Sequence, residues 1–242
     1  MENCTGRSTI VAMKQIRHYQ AAVSAEAVAL AWARQEEAPS GATVVVDNEV
    51  SPRGHAGRLW CAPATDTLSM ALVLRPEFTV EDADAAWLVA GMLARKSISA
   101  TSARSVSTWW PDRVVDSDDG AELAMTKAEV QLGPGRMRFA VVTFRFDLAR
   151  LGVAREDLID AVDDARVDDS SVIDDAELVS RGYSERCALL RQKVRVLLLP
   201  KGETRGRVSG VDRSARLQIE SSTGMVERIG IHSLRSLEVR GN

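Results

Sequence analysis

The stretch Arg53–Trp60 reads R-G-H-A-G-R-L-W and follows the strand-like run Thr43–Val46. Two glycines and two arginines fall within it. Glycine lets backbone approach a ligand closely, and the arginine guanidinium offers a planar set of donors that suits phosphate or carboxylate. The stretch therefore predicts an anion-binding loop, although a polar surface loop between two strands has the same pattern. It is not a Walker A loop, because no glycine-lysine pair followed by serine or threonine ends it.

Three further features follow this loop in order. The apolar run Leu68–Leu74 predicts a buried strand. The sequence Trp110-Pro111-Asp112 ends a short strand-like run, and Ser184–Val196 leads from a helix-like segment into a strand-like one. Taken in this order, the features resemble the biotin–protein ligases. In that family a glycine- and arginine-rich loop ends in tryptophan, leads through a serine-proline turn into a core strand, and precedes a tryptophan-proline motif.

The resemblance implies an α+β fold: a mixed, mainly antiparallel sheet with flanking helices, of the class II synthetase-like ligase type, followed by a small SH3-like β-barrel. We place the ligase-like catalytic domain at residues 1–192 and the barrel at residues 193–242. The boundary lies there because short alternating runs, separated by glycines at regular intervals, begin at Lys193.

Local patterns add a coarse secondary structure. The alanine-rich stretch Ala21–Gln35 carries an apolar stripe with helical spacing. The runs Ala128–Leu132 and Met137–Phe146 flank a Gly-Pro-Gly-Arg turn and predict a β-hairpin. The segment Asp112–Gly120 carries four aspartates and predicts a solvated loop. Further helices are expected over Ala85–Leu93, Leu148–Ala165 and Val172–Gln192.

Composition sets broad limits. The chain has 242 residues, 45% of them hydrophobic and 27% charged, and a net charge of −3. These values are ordinary for a globular protein and provide no global basic field for nucleic acid. No apolar run approaches about 18 residues, so no membrane span is expected. Cys4, Cys61 and Cys187 lie far apart, which favours a reduced, cytoplasmic protein without a disulfide or metal site.

Biotin–protein ligases join biotin to ATP as biotinyl-AMP and then transfer the acyl group to a lysine of a carrier protein. The resemblance implies this ATP-dependent activity toward biotin or a lipoate-type acid, with Mg²⁺ accompanying ATP and a biotinyl- or lipoyl-carrier domain as partner. It also allows a homodimer. The chain begins close to its first predicted helix, so we expect neither a helix-turn-helix regulator domain nor DNA binding.

The site residues follow from the same resemblance. Arg53 and Arg58 would supply the loop donors, because positive groups must offset the repulsion between a carboxylate and the α-phosphate. Backbone would close over the ligand at Gly54 and Gly57. Trp60 would cap the pocket by stacking; a core position is the alternative, since tryptophan is usually highly buried. The other expected ligand-contacting residues are His55, Thr67, Trp110 and Asp112.

The family places a lysine shortly after its tryptophan-proline motif, where it neutralises charge on the phosphate. The nearest candidate is Lys127, which follows the aspartate-rich segment. If that segment is a longer loop here, Lys127 would be the catalytic cation of the cleft. The alternative is a lysine on an exposed strand face, because lysine is rarely buried without a partner.

Several positions depart from the family pattern. His55 takes the place of an inner loop arginine, Thr67 of an asparagine, and Trp109 of a basic residue. Arg145 falls where a glycine leaves room for ligand, so it should fill space or add charge. These departures motivate a rival hypothesis, a catalytically degenerate ligase-fold protein that binds a carrier domain or a different ligand. An oligomer-forming scaffold that pairs through a sheet edge is a third hypothesis, supported by the fold alone.

The ligase hypothesis and its degenerate rival share one spatial requirement. The glycine/arginine loop and the tryptophan-proline bend must form two walls of a single cavity. Of the two adjacent tryptophan rings, Trp109 and Trp110, we expect one in the core and one in the pocket.

Overall fold

The structure is a computed structural model and describes residues 15–240. A seven-stranded sheet forms its larger part. The strands in chain order are β1 (Ile16–Ala22), β2 (Thr43–Glu49), β3 (Thr67–Leu74), β4 (Val106–Trp109), β5 (Arg113–Asp116), β6 (Glu122–Leu132) and β7 (Met137–Asp147). Their order across the sheet is β1-β2-β3-β7-β6-β5-β4. β1 pairs with β2 in parallel, and the other neighbours run antiparallel.

Helices cover both faces of this sheet. They are α1 (Ala25–Gln35), α2 (Ala85–Thr101), α3 (Leu148–Leu151), α4 (Arg155–Asp168), α5 (Ser170–Ile173) and α6 (Ala176–Glu185). Alternate residues of β3 point to opposite faces: Ala71 and Val73 pack with α1, whereas Met70 and Leu72 pack with α2. Because both faces are covered, β3 is buried along its whole length, which explains its mainly apolar sequence.

A second, five-stranded sheet follows α6. Its strands are β8 (Lys193–Leu198), β9 (Glu203–Val211), β10 (Leu217–Glu220), β11 (Val226–Ile229) and β12 (Leu234–Val239), in the order β11-β10-β9-β8-β12. The inward residues Val194, Val196 and Leu217 share one continuous core with α2 and α6. The predicted fold class is therefore confirmed. The domain boundary and the SH3-like form of the second sheet stay predictions.

Some local predictions are confirmed and others are wrong. The hairpin forms as β6 and β7, with Gly135 at φ +72° in its turn. The predicted loop at Asp112–Gly120 contains β5, because Val114 and Val115 are buried despite the surrounding charges. The predicted helix over Ala21–Gln35 begins only at Ala25, since Ala21 and Ala22 belong to β1 and Ser24 is the N-cap.

Two further expectations concern the cysteines and membrane-spanning helices. Cys61 and Cys187 are free thiols, the first exposed and the second buried; Cys4 lies outside the described residues. Within residues 15–240, no helix combines the length and apolar character needed to cross a bilayer.

Candidate functional site

The Arg53–Trp60 loop leaves the end of β2 and turns back on itself. The Gly54 N–H donates to the Arg58 carbonyl at 2.7 Å, and Arg53 pairs with Leu59 as an isolated antiparallel bridge. A Cβ atom on Gly54 would lie 2.4 Å from the Met125 sulfur. Glycine at this position therefore allows the loop to rest directly on β6.

Arg58 ties this loop to the tryptophan-proline bend. Its Nη2 lies 3.0 Å from Asp112 Oδ2, and its Nη1 lies 2.9 Å from Glu122 Oε1. Burial lowers the pKa of Arg58, but its attraction to the two carboxylates outweighs this effect, so the pKa lies above the ordinary value. The guanidinium is therefore a permanent cation held by two acids.

The loop and the bend form two walls of one cavity, as predicted. This cavity has a volume of about 350 Å³ and is closed by β12 on a third side. His55 and Arg58 line it from the loop, Trp109 and Pro111 from the bend, and Arg235 from β12. The Trp110–Pro111 peptide bond is cis.

A buried ion pair lies beside the loop, between β7 and the end of β2. Arg145 and Glu49 have side chains only 1% and 2% exposed, and Arg145 Nε lies 2.5 Å from Glu49 Oε2. Arg145 Nη1 also donates to the Arg53 carbonyl at 3.3 Å. Glu49 Oε1 accepts from the Ala25 N–H, at the start of α1, at 2.7 Å. The pair thus joins two strands, a helix and the loop.

Lys127 has carboxylate partners of its own. Its Nζ lies 3.0 Å from Glu26 of α1 and 2.7 Å from Glu129 of β6, and its side chain is 18% exposed. Burial lowers the pKa of Lys127, but the two glutamates more than offset this, so the pKa is raised. Lys127 makes no ion pair or hydrogen bond with the loop. Whether it acts as a catalytic cation stays a prediction.

Trp60 and Thr67 are joined by a hydrogen bond at the end of the loop. The Trp60 Nε1 donates to Thr67 Oγ1 at 2.9 Å, and Thr67 Oγ1 donates to the Pro63 carbonyl at 2.8 Å. Trp60 is half-buried and lines a second cavity of about 570 Å³, together with Arg58, Glu122 and others. Thr67 therefore positions the tryptophan rather than facing the open space directly.

The remaining predicted site residues make hydrogen bonds or packing contacts within the protein. His55 Nε2 lies 2.9 Å from the Ile231 carbonyl of the second sheet. Trp110 is buried and donates from Nε1 to the Ala215 carbonyl at 2.9 Å, while Trp109 is half-buried and lines the smaller cavity. One ring is thus in the core and one at a pocket, but the predicted ligand-contacting residue, Trp110, is the buried one, and Trp109 is the ring at the pocket. Arg53 is exposed, with hydrogen bonds to Ser51 and Gly57.

Sequence reasoning named Asp112 as a site residue but missed the other acidic partners at this site. Three cations, Arg58, Lys127 and Arg145, contact five carboxylates. These carboxylates belong to Asp112, Glu122, Glu26, Glu129 and Glu49. An arginine inside the apolar β7 was the available signal, because a buried cation requires an acid nearby. The sequence did not indicate which acid, since Glu49 is remote along the chain.

This architecture is that of the biotin protein ligases. The biotin protein ligase from Aquifex aeolicus, solved with biotin and ATP, matches it with a TM-score of 0.68 and 15% identity, covering 94% of this chain and 100% of that chain. A biotin protein ligase-like protein of unknown function from Silicibacter sp. TM1040 matches with a TM-score of 0.66 and 16% identity, covering 88% and 94%.

Sequence comparison gives a shorter match. The bifunctional ligase/repressor BirA of Bacillus spizizenii is 25% identical over 105 residues, which is 43% of this chain and 32% of that protein. The match thus spans about a third of the relative's length. No protein-family model matches the chain. The chain has the biotin protein ligase fold, and the resemblance that its loop and bend suggested is confirmed.

Proposed function

We propose that this protein is a catalytically degenerate form of the ligase fold, which binds a partner or ligand without converting biotin to an acyl adenylate. The observation that carries the proposal is the buried Arg145–Glu49 pair. In the biotin–protein ligase pattern a glycine at the position of Arg145 leaves room for ligand. We infer that the Arg145–Glu49 ion pair takes that room here.

Displacing the pair to admit an acid would be costly. Separating a buried ion pair leaves charge uncompensated, at a cost of about 3–5 kcal/mol. Arg145 also holds the loop through the Arg53 carbonyl, and Glu49 accepts from the start of α1. Movement of either side chain would therefore disturb two further elements.

The charge balance also disfavours a triphosphate. Adenylation needs cations that are free to meet phosphate oxygens as negative charge develops. Arg58 and Lys127 are instead each held by two carboxylates. A phosphate group that approached Arg58 or Lys127 would therefore have to compete with these carboxylates for the N–H donors.

The scaffold keeps features suited to binding. The 570 Å³ cavity beside Trp60 is within the range of about 300–1,000 Å³ that is usual for small-ligand sites. A biotinyl- or lipoyl-carrier domain is the macromolecular partner that the fold implies. An ATP-dependent ligase for biotin or a lipoate-type acid is the second candidate, favoured by the meeting of the loop and the bend at Arg58.

Pyrophosphate exchange separates the two candidates. We expect the full chain, with ATP, Mg²⁺ and either biotin or lipoate, to give no exchange above background and no thermal shift with either acid. Titration with an apo carrier domain tests the binding role in the same preparation. Exchange with either acid that is lost in Arg58→Ala would overturn the proposal in favour of the ligase.

A gain-of-binding variant tests the blocking pair itself. The double variant Arg145→Gly/Glu49→Gln removes the ion pair and reopens the space. We expect it to bind biotin more tightly than the wild type if it remains folded, which circular dichroism would establish. Arg138→Gly, at an exposed arginine of the same strand, is the matched control and should leave biotin binding unchanged.

A further inference from the structure

A row of cations crosses the outer face of the second sheet. Lys193 of β8 lies in register with Arg207 of β9, and Arg207 lies in register with Glu220 of β10. Arg240, directly after β12, extends the row on the other side, because its N–H donates to the Lys193 carbonyl at 2.8 Å. Three positive side chains therefore occupy neighbouring positions, with one acid at the end of the row.

The cations of this row form no ion pair within the described residues. Like charges directly opposite each other on paired strands destabilise a sheet, yet Lys193, Arg207 and Arg240 form no ion pair there. The next row on the same face is different, because Glu203 contacts both Arg195 and Arg205. In the second sheet, the arginines of one row are thus paired with an acid, whereas the cations of the adjacent row are not. This is so although the chain has more acidic than basic residues.

The cations border a concave space. A cavity of about 500 Å³ is lined by four cationic residues and one acid, together with two serines: Lys193, Arg205, Arg207, Arg240, Glu220, Ser221 and Ser222. We call it the basic cavity. It shares no lining residue with the two cavities at the loop.

We propose that the basic cavity binds a small ligand that carries two or more phosphate or carboxylate groups. Arginine guanidinium groups bind such anions in a bidentate manner, and the serine hydroxyls add donors. Neighbouring strands lie about 4.8 Å apart, so the three unpaired cations span about 10 Å. That span suits several linked anionic groups better than one. The proposal holds whether or not the loop site is catalytic.

Calorimetric titration of the full chain tests this proposal. The probes are tripolyphosphate and citrate, in about 150 mM salt so that nonspecific attraction is screened. We expect at least one probe to bind, and the double variant Lys193→Gln/Arg207→Gln to weaken that binding at least tenfold. Arg228→Gln removes an exposed arginine of the same sheet outside the cavity and should keep the wild-type affinity.

Thermal unfolding supplies a second readout. Without probe, the double variant should melt no lower than the wild type, because it relieves repulsion within the row. With probe, only the wild type and Arg228→Gln should gain stability. The probe that binds more tightly identifies phosphate or carboxylate as the preferred group. Binding of neither probe, or equal binding by the double variant, would overturn the proposal.

Discussion

At the scale of single residues, Arg145 forms a buried ion pair with Glu49 and a hydrogen bond to the Arg53–Trp60 loop. We predict that Arg145→Ala lowers the free energy of unfolding by about 3–5 kcal/mol, because it leaves the Glu49 carboxylate buried without its cation. Urea unfolding at neutral pH measures the change. Arg138→Ala, at an exposed arginine of the same strand, should cost less than about 0.5 kcal/mol. Equal costs for the two variants would contradict a structural role for the buried pair.

Replacing both Arg145 and Glu49 tests whether the cost comes from the isolated charge or from lost packing. Arg145→Met with Glu49→Leu should be less destabilising than Arg145→Ala, since an apolar pair of similar volume leaves no isolated charge. It still removes the acceptor for the Ala25 N–H, which costs about 1 kcal/mol. A double variant as unstable as Arg145→Ala would show that packing, rather than charge, dominates here.

Some contacts of individual residues could be predicted from the nearby sequence, and others could not. The meeting of the Arg53–Trp60 loop with the tryptophan-proline bend was predicted, because the two segments each have a recognisable sequence. The Arg145–Glu49 pair and the role of Glu122 were not, since their partners are brought together by sheet pairing between distant strands. A buried arginine signals that some acid is nearby but carries no information about its position.

At the scale of elements, α1 begins at a defined cap. Ser24 Oγ accepts from the Ala27 N–H at 3.1 Å, which satisfies one of the free donors of the first turn. Ser24→Ala should therefore lower the free energy of unfolding by about 1 kcal/mol. Ser24→Asp keeps the acceptor and should remain near the wild type. A cost for Ser24→Asp equal to that of Ser24→Ala would rule out capping as the cause.

The loop depends on close contact between Gly54 and Met125. Gly54→Ala should cost about 1–3 kcal/mol through overpacking, and Met125→Ala should cost about 2–5 kcal/mol through the cavity it leaves. The double variant should cost less than their sum, because the new methyl group enters the vacated space. Equilibrium unfolding of all three variants measures the coupling.

Gly57 provides the control for this coupling. A Cβ there meets no atom of residues 15–240 within 4 Å, but the φ of +76° at Gly57 disfavours other residues. Gly57→Ala should therefore destabilise the protein, and Met125→Ala should not relieve that cost. A similar relief for both glycines would contradict direct packing of Gly54 on the methionine.

Element prediction succeeded where periodicity and turn chemistry agreed. The β6–β7 hairpin has apolar runs on both sides of a glycine-proline turn, so its strands and connection were identified together. β5 was missed because two buried valines stand among charged residues, and a pattern this short has no distinct period. β1 was missed because it is an edge strand whose residues are only partly buried.

At the scale of the molecule, polar contacts join the two sheets around their shared core. His55 reaches the Ile231 carbonyl, and Trp110 reaches the Ala215 carbonyl. Asp82, just before α2, accepts from Arg213 Nε at 3.0 Å and from Ser214 Oγ at 3.1 Å. The second sheet is thus fixed to the loop, the bend and the helix layer, so its position contributes to the shape of the site.

The Asp82 link makes part of the stability depend on pH. Hydrogen bonds from Arg213 hold the pKa of Asp82 below its ordinary value of 3.8. A lowered folded-state pKa stabilises the protein above the unfolded-state value and loses this effect as pH falls through the folded-state value. Asp82→Asn should therefore cost about 1–2 kcal/mol at pH 7, reduced from the full value of a charged hydrogen bond because Arg213 is half-exposed.

The cost of Asp82→Asn should shrink as pH falls below about 4, since Asp82 of the unfolded wild-type chain then takes up a proton, and the folded carboxylate is protonated only at a still lower pH. Urea unfolding of both proteins between pH 7 and pH 2.5 measures this difference. Asp84→Asn, at a more exposed neighbour, should show a smaller cost at pH 7. If the cost of Asp82→Asn stays constant or grows toward low pH, the contact with Arg213 does not hold the second sheet in place through charge.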